Sequence, residues 1–322
     1  MPSQKNSNPN DEFDLLAQVA KSYYIENKNQ SQIAEACDIS PSTVSRLLSR
    51  AREEGIVRIA VVHPQRRNNE LEDALRQKFA LQDAIVARIS TGVLDDQTIL
   101  HEISKVAAPY IDALIKPGLV IGVSASSSVA ALIRALKPLA TPRYVTVVQL
   151  MGEFEIQHSS RHSAEITRLM AEMYVGTNYY LNAPTFVEDP DVAEALWRTR
   201  GISEVLPFYN RLDMMLVGVG PLRGSPLETN GLLRSSHIRQ LEAAGAVGDT
   251  CGHFFSEDGH LVDDAYSGKV IAIGWDQLRR CPQVVAVAAG NKKVEALRAL
   301  LNGRIIHILA TDENTAYQTL DM

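Results

Sequence analysis

The stretch QSQIAEACDISPSTVSRLLSRAR, residues 30–52, predicts two short helices joined by a tight turn. Apolar residues recur at helical spacing in both halves, namely Ile33, Ala34 and Cys37, then Val44, Leu47, Leu48 and Ala51. Ser40 is suited to cap the second helix, and Pro41 to occupy its first position. Asp38 stands where the chain must turn, and aspartate tolerates the left-handed conformation better than most residues. The stretch therefore predicts a helix, a turn and a second helix that share an apolar face.

The other face of the second predicted helix is small, hydroxylated and cationic. It carries Ser42, Thr43, Ser45, Arg46, Ser49 and Arg50. Such a face suits a helix that enters the major groove of DNA. The pattern resembles the helix-turn-helix of bacterial transcription regulators. Contacts with DNA are therefore expected from Gln32, Ser42, Thr43, Ser45, Arg46 and Arg50. The alternative is a helical hairpin with an ordinary solvated face, which the coincidence of turn, cap and hydroxyl–arginine pattern disfavours.

Composition and charge describe a globular protein rather than a disordered one. Hydrophobic residues make up 45% of the 322 residues and charged residues 22%, enough for one sizeable core and a small accessory domain. The net charge is −6, so binding to DNA requires a local concentration of positive charge. That concentration is supplied near the predicted helix-turn-helix by Arg46, Arg50, Arg52 and Arg58.

The cysteines and histidines form no pattern typical of a metal site or a disulfide framework. Cys37, Cys251 and Cys281 have no paired spacing, and with no signal peptide they favour a reducing cytoplasm. His237, His253 and His260 have no ligand spacing with a carboxylate, so neither a metal nor another cofactor is expected. No apolar run reaches the length that crosses a membrane.

The predicted helices and strands divide the chain into two domains. A helix over Asp11–Glu26 should support the helix-turn-helix after a disordered tail at residues 1–10, and IVRIAVVHP (56–64) is expected to leave this domain as a short strand. We therefore predict a DNA-binding helix-turn-helix domain with a disordered tail at 1–62, and an effector-binding and oligomerisation domain at 63–322.

The second domain alternates between strands and helices, which predicts an α/β fold with a largely parallel sheet. Strands are expected at 84–89, 119–123, 144–152, 178–181, 213–221, 269–273 and 304–309, with another beginning at 284. Helices are expected at 69–79, 97–115, from the serines to 136, 162–174, 192–206, 237–244, before 303, and from 312. GAVGD (245–249) is predicted to be a glycine turn.

Two predicted strand-to-helix junctions carry residues suited to bind an anion. One holds the serine run Ser124, Ser126, Ser127 and Ser128, and the other holds Gly290, Asn291, Lys292 and Lys293. Amides at a helix amino terminus attract anions, and ligands of open α/β sheets bind outside the carboxyl ends of the strands. Together the junctions predict a site for a small phosphorylated or otherwise anionic molecule, although a serine run alone is more often a plain cap.

Asp249 in GAVGD is a further candidate, because flanking glycines could present its carboxylate to sugar hydroxyls. The alternative is that Asp249 only closes a turn through its own backbone. Gly152, at the end of the predicted strand 144–152, completes the candidate effector residues, which are Ser124, Ser126, Ser127, Ser128, Gly152, Asp249, Gly290 and Lys293. No Ser–His–Asp arrangement or other catalytic set can be assigned.

Several blocks give the chain a family resemblance from about Leu15 onward. They are TVSRLLSRAREEGIVRI, VVQLMG, DMMLVGVGP, GAVGDTCGHFF, VAVAAGNKKVEALRALLNG and IIHILATDENTA. The chain resembles the SorC/DeoR-type sugar-binding transcriptional regulators. The resemblance implies an effector domain similar in fold to ribose-5-phosphate isomerase and glucosamine-6-phosphate deaminase, without their activity. It also implies a homotetramer whose affinity for operator DNA changes when a phosphorylated sugar binds.

The resemblance also assigns individual residues. Lys293 matches the lysine of the family's GGxxK turn, Gly290 its second glycine, and Asp249 the aspartate of its GAVGD block. The chain departs from the family's Trp-Gly pair and threonine at 124–128, and Ala289 replaces the first glycine of the GGxxK turn. These departures leave the identity of the sugar open.

Three functions remain from the sequence. The first is a cytoplasmic transcription regulator that responds to a phosphorylated sugar, the second a sugar-phosphate enzyme with an accessory helix-turn-helix. The third is a helix-turn-helix domain joined to a structural oligomerisation module that binds no ligand. The missing acid–base pair argues against the enzyme, and we therefore expect the regulator.

Overall fold

The structure is a computed structural model that describes residues 9–54, 56–57, 66–89, 95–138, 141–153, 163–229, 231–262, 266 and 268–321, without the side chains of 9–12. Contacts divide the chain into two compact units, Met1–His63 and Pro64–Met322. Most of the predicted tail and most of the predicted strand at 56–64 lie outside the described residues.

The N-terminal unit contains three helices, α1 (Pro9–Tyr24), α2 (Gln30–Cys37) and α3 (Pro41–Glu53). Helix α1 begins at Pro9, so the end of the predicted tail is helical. The predicted turn is confirmed: Asp38 ends α2 in the left-handed conformation, with φ of 54°. The predicted cap is confirmed as well, because the Ser40 side chain accepts a hydrogen bond from the Thr43 amide.

The three helices enclose a small apolar core. Its fully buried members are Leu16, Val19, Ala20, Ile33, Ala34, Val44, Leu48 and Ala51. They recur three or four positions apart, so each helix turns one stripe inward and leaves its polar stripe in solvent. The polar side of α3 is exposed for this reason.

The larger unit alternates strands and helices. Its strands are β1 (Asp83–Ala87), β2 (Val120–Val123), β3 (Thr146–Gln149), β4 (Thr177–Tyr179), β5 (Met214–Val217), β6 (Gly220–Pro221), β7 (Ala246–Thr250), β8 (His253–Ser256), β9 (Val284–Val287) and β10 (Ile308–Asp312). Its helices are α4 (Asn69–Phe79), α5 (Asp96–Leu114), α6 (Ser127–Ala135), α7 (Ser163–Met173), α8 (Pro190–Arg198), α9 (Arg200–Ser203), α10 (Leu206–Tyr209), α11 (Pro226–Thr229), α12 (Ser235–Ala243), α13 (Trp275–Arg280), α14 (Val294–Asn302) and α15 (Glu313–Asp321). A single 3₁₀ turn, Asn291–Lys293, precedes α14.

Seven of these strands form one parallel sheet in the order β1-β10-β9-β5-β2-β3-β4. Strand β2 lies beside β5 in register from Ile121–Met214 to Val123–Leu216, and Val217 of β5 lies opposite Ala286 of β9. The carboxyl ends of β2, β5 and β9 are therefore neighbours. The order of strands reverses around β2 and β5, which is where ligands bind in sheets of this type.

Both faces of the sheet are covered. Alternate strand residues enter two separate apolar clusters: Met215 and Val217 of β5 join one, and Met214 and Leu216 join the other. Helices α5, α6 and α7 cover the second face, whereas α4, α8 to α10 and α13 to α15 cover the first. Strands buried on both faces are apolar along their whole length, as the continuous run MMLV of β5 shows.

A small antiparallel sheet, β6-β7-β8, corrects one sequence prediction. GAVGD is not a glycine turn, because Ala246–Thr250 forms β7 and pairs with β6 and β8. Only Gly245 turns, with φ of 87°. The predicted strand at 213–221 likewise divides into β5 and β6, which belong to different sheets.

Two further strand predictions are wrong in extent. Residues 269–273 contribute only isolated bridges from Val270 and Ala272, and the strand predicted at 304–309 lies at Ile308–Asp312. The α/β class with an N-terminal helix-turn-helix is nevertheless confirmed. The specific similarity to ribose-5-phosphate isomerase and glucosamine-6-phosphate deaminase stays a prediction.

Candidate functional sites on α3 and at the carboxyl edge of the sheet

Helix α3 presents hydroxyl groups around its amino terminus. Ser40 Oγ lies 2.8 Å from Ser42 Oγ and 2.9 Å from Thr43 Oγ1, and it also accepts the Thr43 amide at 3.1 Å. The hydroxyls of Ser42 and Thr43 are therefore gathered at the positive end of the helix dipole, where phosphate groups are attracted. The predicted hydroxylated face thus begins with a polar cluster held by the cap.

Arg46 and Ser45 follow on the exposed side of α3. One Arg46 guanidinium nitrogen lies 3.4 Å from Thr43 Oγ1, a weak contact that leaves the side chain directed toward solvent. Arg50 instead pairs with Glu54 one turn later through its Nε. The two predicted arginines therefore differ, because Arg50 is paired with the carboxylate of Glu54, the residue that ends α3.

Gln32 has a local structural role. Its Oε1 accepts the Asn29 amide at 3.0 Å, and its own amide donates to Asn29 Oδ1 at 2.9 Å. This reciprocal pair is a capping box that starts α2. The role of Gln32 in contacting DNA stays a prediction, and the sequence signal for the box was Asn29 followed three positions later by glutamine.

At the second candidate site, the junction after β2 is built from serines with different partners. The side chain of Ser124 is buried, and its Oγ accepts the Gly218 amide at 3.1 Å, which ties the end of β2 to the end of β5. Ser126 is the N-cap of α6 and accepts the Val129 amide at 3.0 Å. Ser127, half-buried, is the first residue of α6.

Ser128 links this junction to the one after β9. Its side chain is buried, and Lys293 Nζ donates to its Oγ over 3.5 Å. The two strand-to-helix junctions that the sequence singled out are therefore adjacent in space, and their side chains meet. Lys293 ends the 3₁₀ turn, with its amide donating to the Gly290 carbonyl at 3.0 Å.

Gly290 starts the turn that carries Lys293. Its φ is 98°, a conformation that residues with a Cβ rarely adopt, so glycine is required here. Its amide donates to Thr315 Oγ1 at 2.9 Å. Thr315 and its partner Asp312 are buried residues that the sequence analysis missed, because nothing local marks them as part of a loop 25 positions away.

Asp249 lies in β7 opposite Gly220 of β6. A Cβ on Gly220 would lie 2.0 Å from Asp249 Oδ1, so the carboxylate fits only because residue 220 has no side chain. Desolvation raises the pKa of Asp249 to about 6, while the Gly252 backbone amide and the charge of Lys293 act in the opposite direction. Asp249 is therefore close enough to Lys293 to feel its charge, although it lies in a strand rather than in the predicted turn.

Gly152 is placed differently from the other candidates. Its amide donates to the Ile271 carbonyl at 2.9 Å, and its carbonyl accepts Thr185 Oγ1 at 2.7 Å. A Cβ here would lie 2.5 Å from the backbone oxygens of Ala183 and Pro184. Close packing of backbone segments therefore accounts for glycine at this position, and its contact with an effector stays a prediction.

Lys292 lies on a different surface from its neighbour Lys293. It lines a shallow depression between α14 and α15, together with Asn291, Val294, Glu295, Gln318 and Asp321. Lys292 is therefore a suitable control for substitutions of Lys293, since of these two lysines Lys293 is the one that contacts the serine junction.

Over the described ranges, no three His, Cys, Asp or Glu side chains are grouped so that they could hold a metal ion. In the same part of the chain, no helix combines the length and apolar character needed to cross a bilayer. The sequence-based expectation of no metal and no cofactor stays a prediction.

Comparison with known proteins identifies both units. A family model described as "Putative sugar-binding domain" matches residues 63–321, and one described as "Helix-turn-helix domain" matches residues 18–69. The sorbitol operon regulator of Klebsiella pneumoniae is 30% identical over 308 residues, covering 95% of this chain and 97% of that protein. The deoxyribonucleoside regulator of Bacillus subtilis (strain 168) is 31% identical over 306 residues, covering 94% and 96%.

The fold is shared over the full length with a solved relative. The crystal structure of the full-length sorbitol operon regulator SorC from Klebsiella pneumoniae matches with a TM-score of 0.80 at 30% identity, covering 98% of this chain and 100% of that one. The predicted resemblance is thereby confirmed. The chain belongs to the SorC family of transcriptional regulators, in which a helix-turn-helix domain precedes a sugar-binding domain.

Proposed function

We propose that this chain binds operator DNA through residues 1–62 and that a phosphorylated sugar or related metabolite, bound by residues 63–322, controls this binding. The contact between Lys293 and Ser128 carries the proposal for the effector site. It brings an ammonium group to the start of α6, at the place in the sheet where the strand order reverses. A lysine ammonium and helix amides together favour an anion such as a phosphate group.

The DNA side of the proposal rests on the amino-terminal half of α3. Exposed Ser42, Ser45 and Arg46 lie beside the hydroxyl cluster around Ser40. Backbone phosphates would be bound by the hydroxyls, the helix amides and Arg50, whereas Ser45 and Arg46 would reach base edges.

The effector proposal is tested by thermal shift with matched pairs of sugars and sugar phosphates. Pentoses, hexoses and hexitols are each compared with their terminal phosphates. A ligand present at a hundredfold its Kd stabilises a protein by about 2.7 kcal/mol, so a true effector raises the melting temperature clearly. We expect stabilisation by at least one phosphorylated member and not by its unphosphorylated partner. Equal shifts within every pair would contradict a phosphate site.

We also propose that the chain regulates without turning its effector over. Its relatives are named as regulators of a sorbitol operon and of deoxyribonucleosides, and its sequence shows no Ser–His–Asp arrangement or other assignable catalytic set. The rival function, a sugar-phosphate enzyme, predicts consumption of the ligand. Incubating the protein with each stabilising sugar phosphate and following the ligand by phosphorus NMR decides between them, since a regulator leaves the ligand intact.

The assembly that we propose is a cytoplasmic homotetramer formed through the effector units. A single helix-turn-helix reads only a few base pairs, so symmetric half-sites supply the remaining affinity. Light scattering of residues 64–322 should show the same oligomer as the full chain. A monomeric effector unit would contradict this part of the proposal.

A further inference from the structure

The segment that directly follows the N-terminal unit in the sequence is fastened to the edge of the large sheet. The Arg88 amide donates to the Arg66 carbonyl at 2.7 Å, and the Asn68 amide donates to the Val86 carbonyl at 2.9 Å. These bonds lie on both sides of an antiparallel bridge. Residues 66–68 therefore pair with the end of β1 through one antiparallel bridge, Arg67–Ala87.

An ion pair between partly buried Arg67 and buried Glu72 holds the same segment. Arg67 Nε donates to Glu72 Oε1 at 2.7 Å, and a second guanidinium nitrogen donates to Oε2 at 2.9 Å. Glu72 is only 3% exposed and also accepts the Val86 amide at 2.9 Å. Two parallel bonds between planar groups fix orientation as well as distance, so the start of α4 cannot move without moving this segment.

Asn68 connects the segment to the last helix of the chain. Its side chain is 7% exposed, its Oδ1 accepts the Leu71 amide, and its Nδ2 donates to Glu313 Oε1 at 2.8 Å. Glu313 is the first residue of α15, and Arg88 approaches its carboxylate at 3.6 Å. One carboxylate at the start of α15 thus receives two contacts from the segment and its neighbouring strand.

The first turn of α15 also contacts the Gly290–Lys293 segment. Thr315 Oγ1 accepts the Gly290 amide at 2.9 Å and donates to Asp312 Oδ2 at 2.6 Å. The Thr315 amide completes the arrangement by donating to Asp312 Oδ1 at 3.0 Å. Only Asn314 separates Glu313 from Thr315, so the contacts of both residues share one helical turn.

We propose that this turn of α15 couples residues 66–68 to the Gly290–Lys293 turn, with Glu313 as the positioning residue. A change in the position of the Gly290 amide acts on Thr315, and Glu313 carries it to Asn68. Its regulatory meaning rests on the proposed effector site: a ligand held by Lys293 then alters the segment that leads to the DNA-binding unit. Such coupling requires that the ligand favour one arrangement of the turn.

Hydrogen exchange of the full-length, ligand-free protein tests the coupling without any effector. Glu313→Ala removes the acceptor of Asn68, and Asn68→Asp removes the donor while keeping an oxygen for the Leu71 amide. We expect both variants to speed exchange at 290–293 by about fivefold, the factor that corresponds to one net hydrogen bond of about 1 kcal/mol.

Two further variants separate coupling from a general loss of structure. Glu313→Gln keeps an oxygen for Asn68 Nδ2 and should exchange like the wild type at 290–293. Arg76→Ala removes the ion pairs of Arg76 with Asp73 and Asp83, neither of which belongs to α15. It should also leave exchange at 290–293 unchanged. The inference is overturned if Glu313→Ala leaves 290–293 unchanged, or if its exchange rises equally in β2, β5 and β9.

Operator binding then tests the regulatory meaning separately. Operator DNA is selected from a random library with the wild type, and its affinity is measured with and without the sugar phosphate that stabilises the protein most. Glu313→Ala should reduce the effector-induced change in operator affinity by about fivefold. If exchange responds as expected but no sugar phosphate changes operator affinity in the wild type, the proposed effector response is wrong and the coupling between the two segments holds.

Discussion

On α3, the residues expected to contact DNA lie within one helix, whereas Ser128 and Lys293 at the carboxyl edge of the sheet stand 165 positions apart in the chain. Ser45 and Arg46 are exposed, and their neighbours on the helix determine where they lie. Ser124 and Lys293, by contrast, already hold partners from other segments. A DNA-reading face can thus be built from local sequence, whereas a ligand site depends on how distant segments fix one another.

The largest effect should come from the local site. Arg46→Ala removes a side chain whose described contact is a weak one to Thr43, so the unit should fold normally. A good base contact contributes about 1–3 kcal/mol, and the loss is multiplied by the number of subunits on the operator. A shift assay at fixed salt should show a sharp fall in operator affinity. Arg198→Ala, which removes the same charge from α8, should bind like the wild type; equal behaviour of both variants would break the comparison.

The next largest effect concerns the cation at the sheet edge. Lys293→Ala should lower effector affinity at least tenfold, because a hydrogen bond to a charged group contributes about 1.5–3 kcal/mol. Calorimetric titration with the stabilising sugar phosphate measures this directly. Lys292→Ala is the matched control, since its side chain lines the separate depression near Gln318. Unaltered affinity in Lys293→Ala would remove the proposed phosphate site, and operator binding without ligand should persist in both variants.

Two serines of one junction should respond in different ways. Ser126→Ala loses the cap on the Val129 amide, so the free energy of unfolding should fall by about 1 kcal/mol. Ser128→Ala leaves that cap intact but removes the hydroxyl beside Lys293, and effector affinity should fall by about fivefold. Urea denaturation and calorimetry on both variants make the comparison. If Ser126→Ala lowered effector affinity and Ser128→Ala lowered stability instead, the effector would be bound at the N-cap of α6 rather than beside Lys293.

The smallest effect should be a dependence on pH. The pKa of Asp249 is raised to about 6, so its carboxylate becomes charged as pH rises through that value and then opposes the binding of an anion beside Lys293. A sugar phosphate also gains charge near pH 6, which acts in the opposite direction. The titration of the phosphate affects the wild type and Asp249→Asn equally, so a comparison of the two proteins isolates the effect of the Asp249 carboxylate. Between about pH 5 and pH 7, effector affinity should fall a few-fold more in the wild type than in Asp249→Asn; parallel profiles would contradict a role for the carboxylate.

The sequence predicts features that depend on neighbouring residues and misses those that depend on distant segments. The caps and turns of α2 and α3 were predictable because Ser40, Thr43 and Asp38 act on neighbours three or four positions away. The glycines of GAVGD predict a turn, but the pairing of Asp249 with Gly220 depends on a separate strand, β6, which no local pattern in GAVGD indicates. The contact of Asn68 with Glu313, 245 positions apart, leaves no local signal at all.

The alternation of β5 residues between two apolar clusters limits which positions of this protein can vary during evolution. A substitution at Met214 or Met215 disturbs one of two packed layers, so the strands offer little freedom to a new ligand preference. Residues beyond the strand ends, such as Ala125, Ala289 and Ser127, are only half-buried and can be exchanged at lower cost. Diversification among descendants of this chain should therefore concentrate in those few positions, while the sheet stays nearly constant.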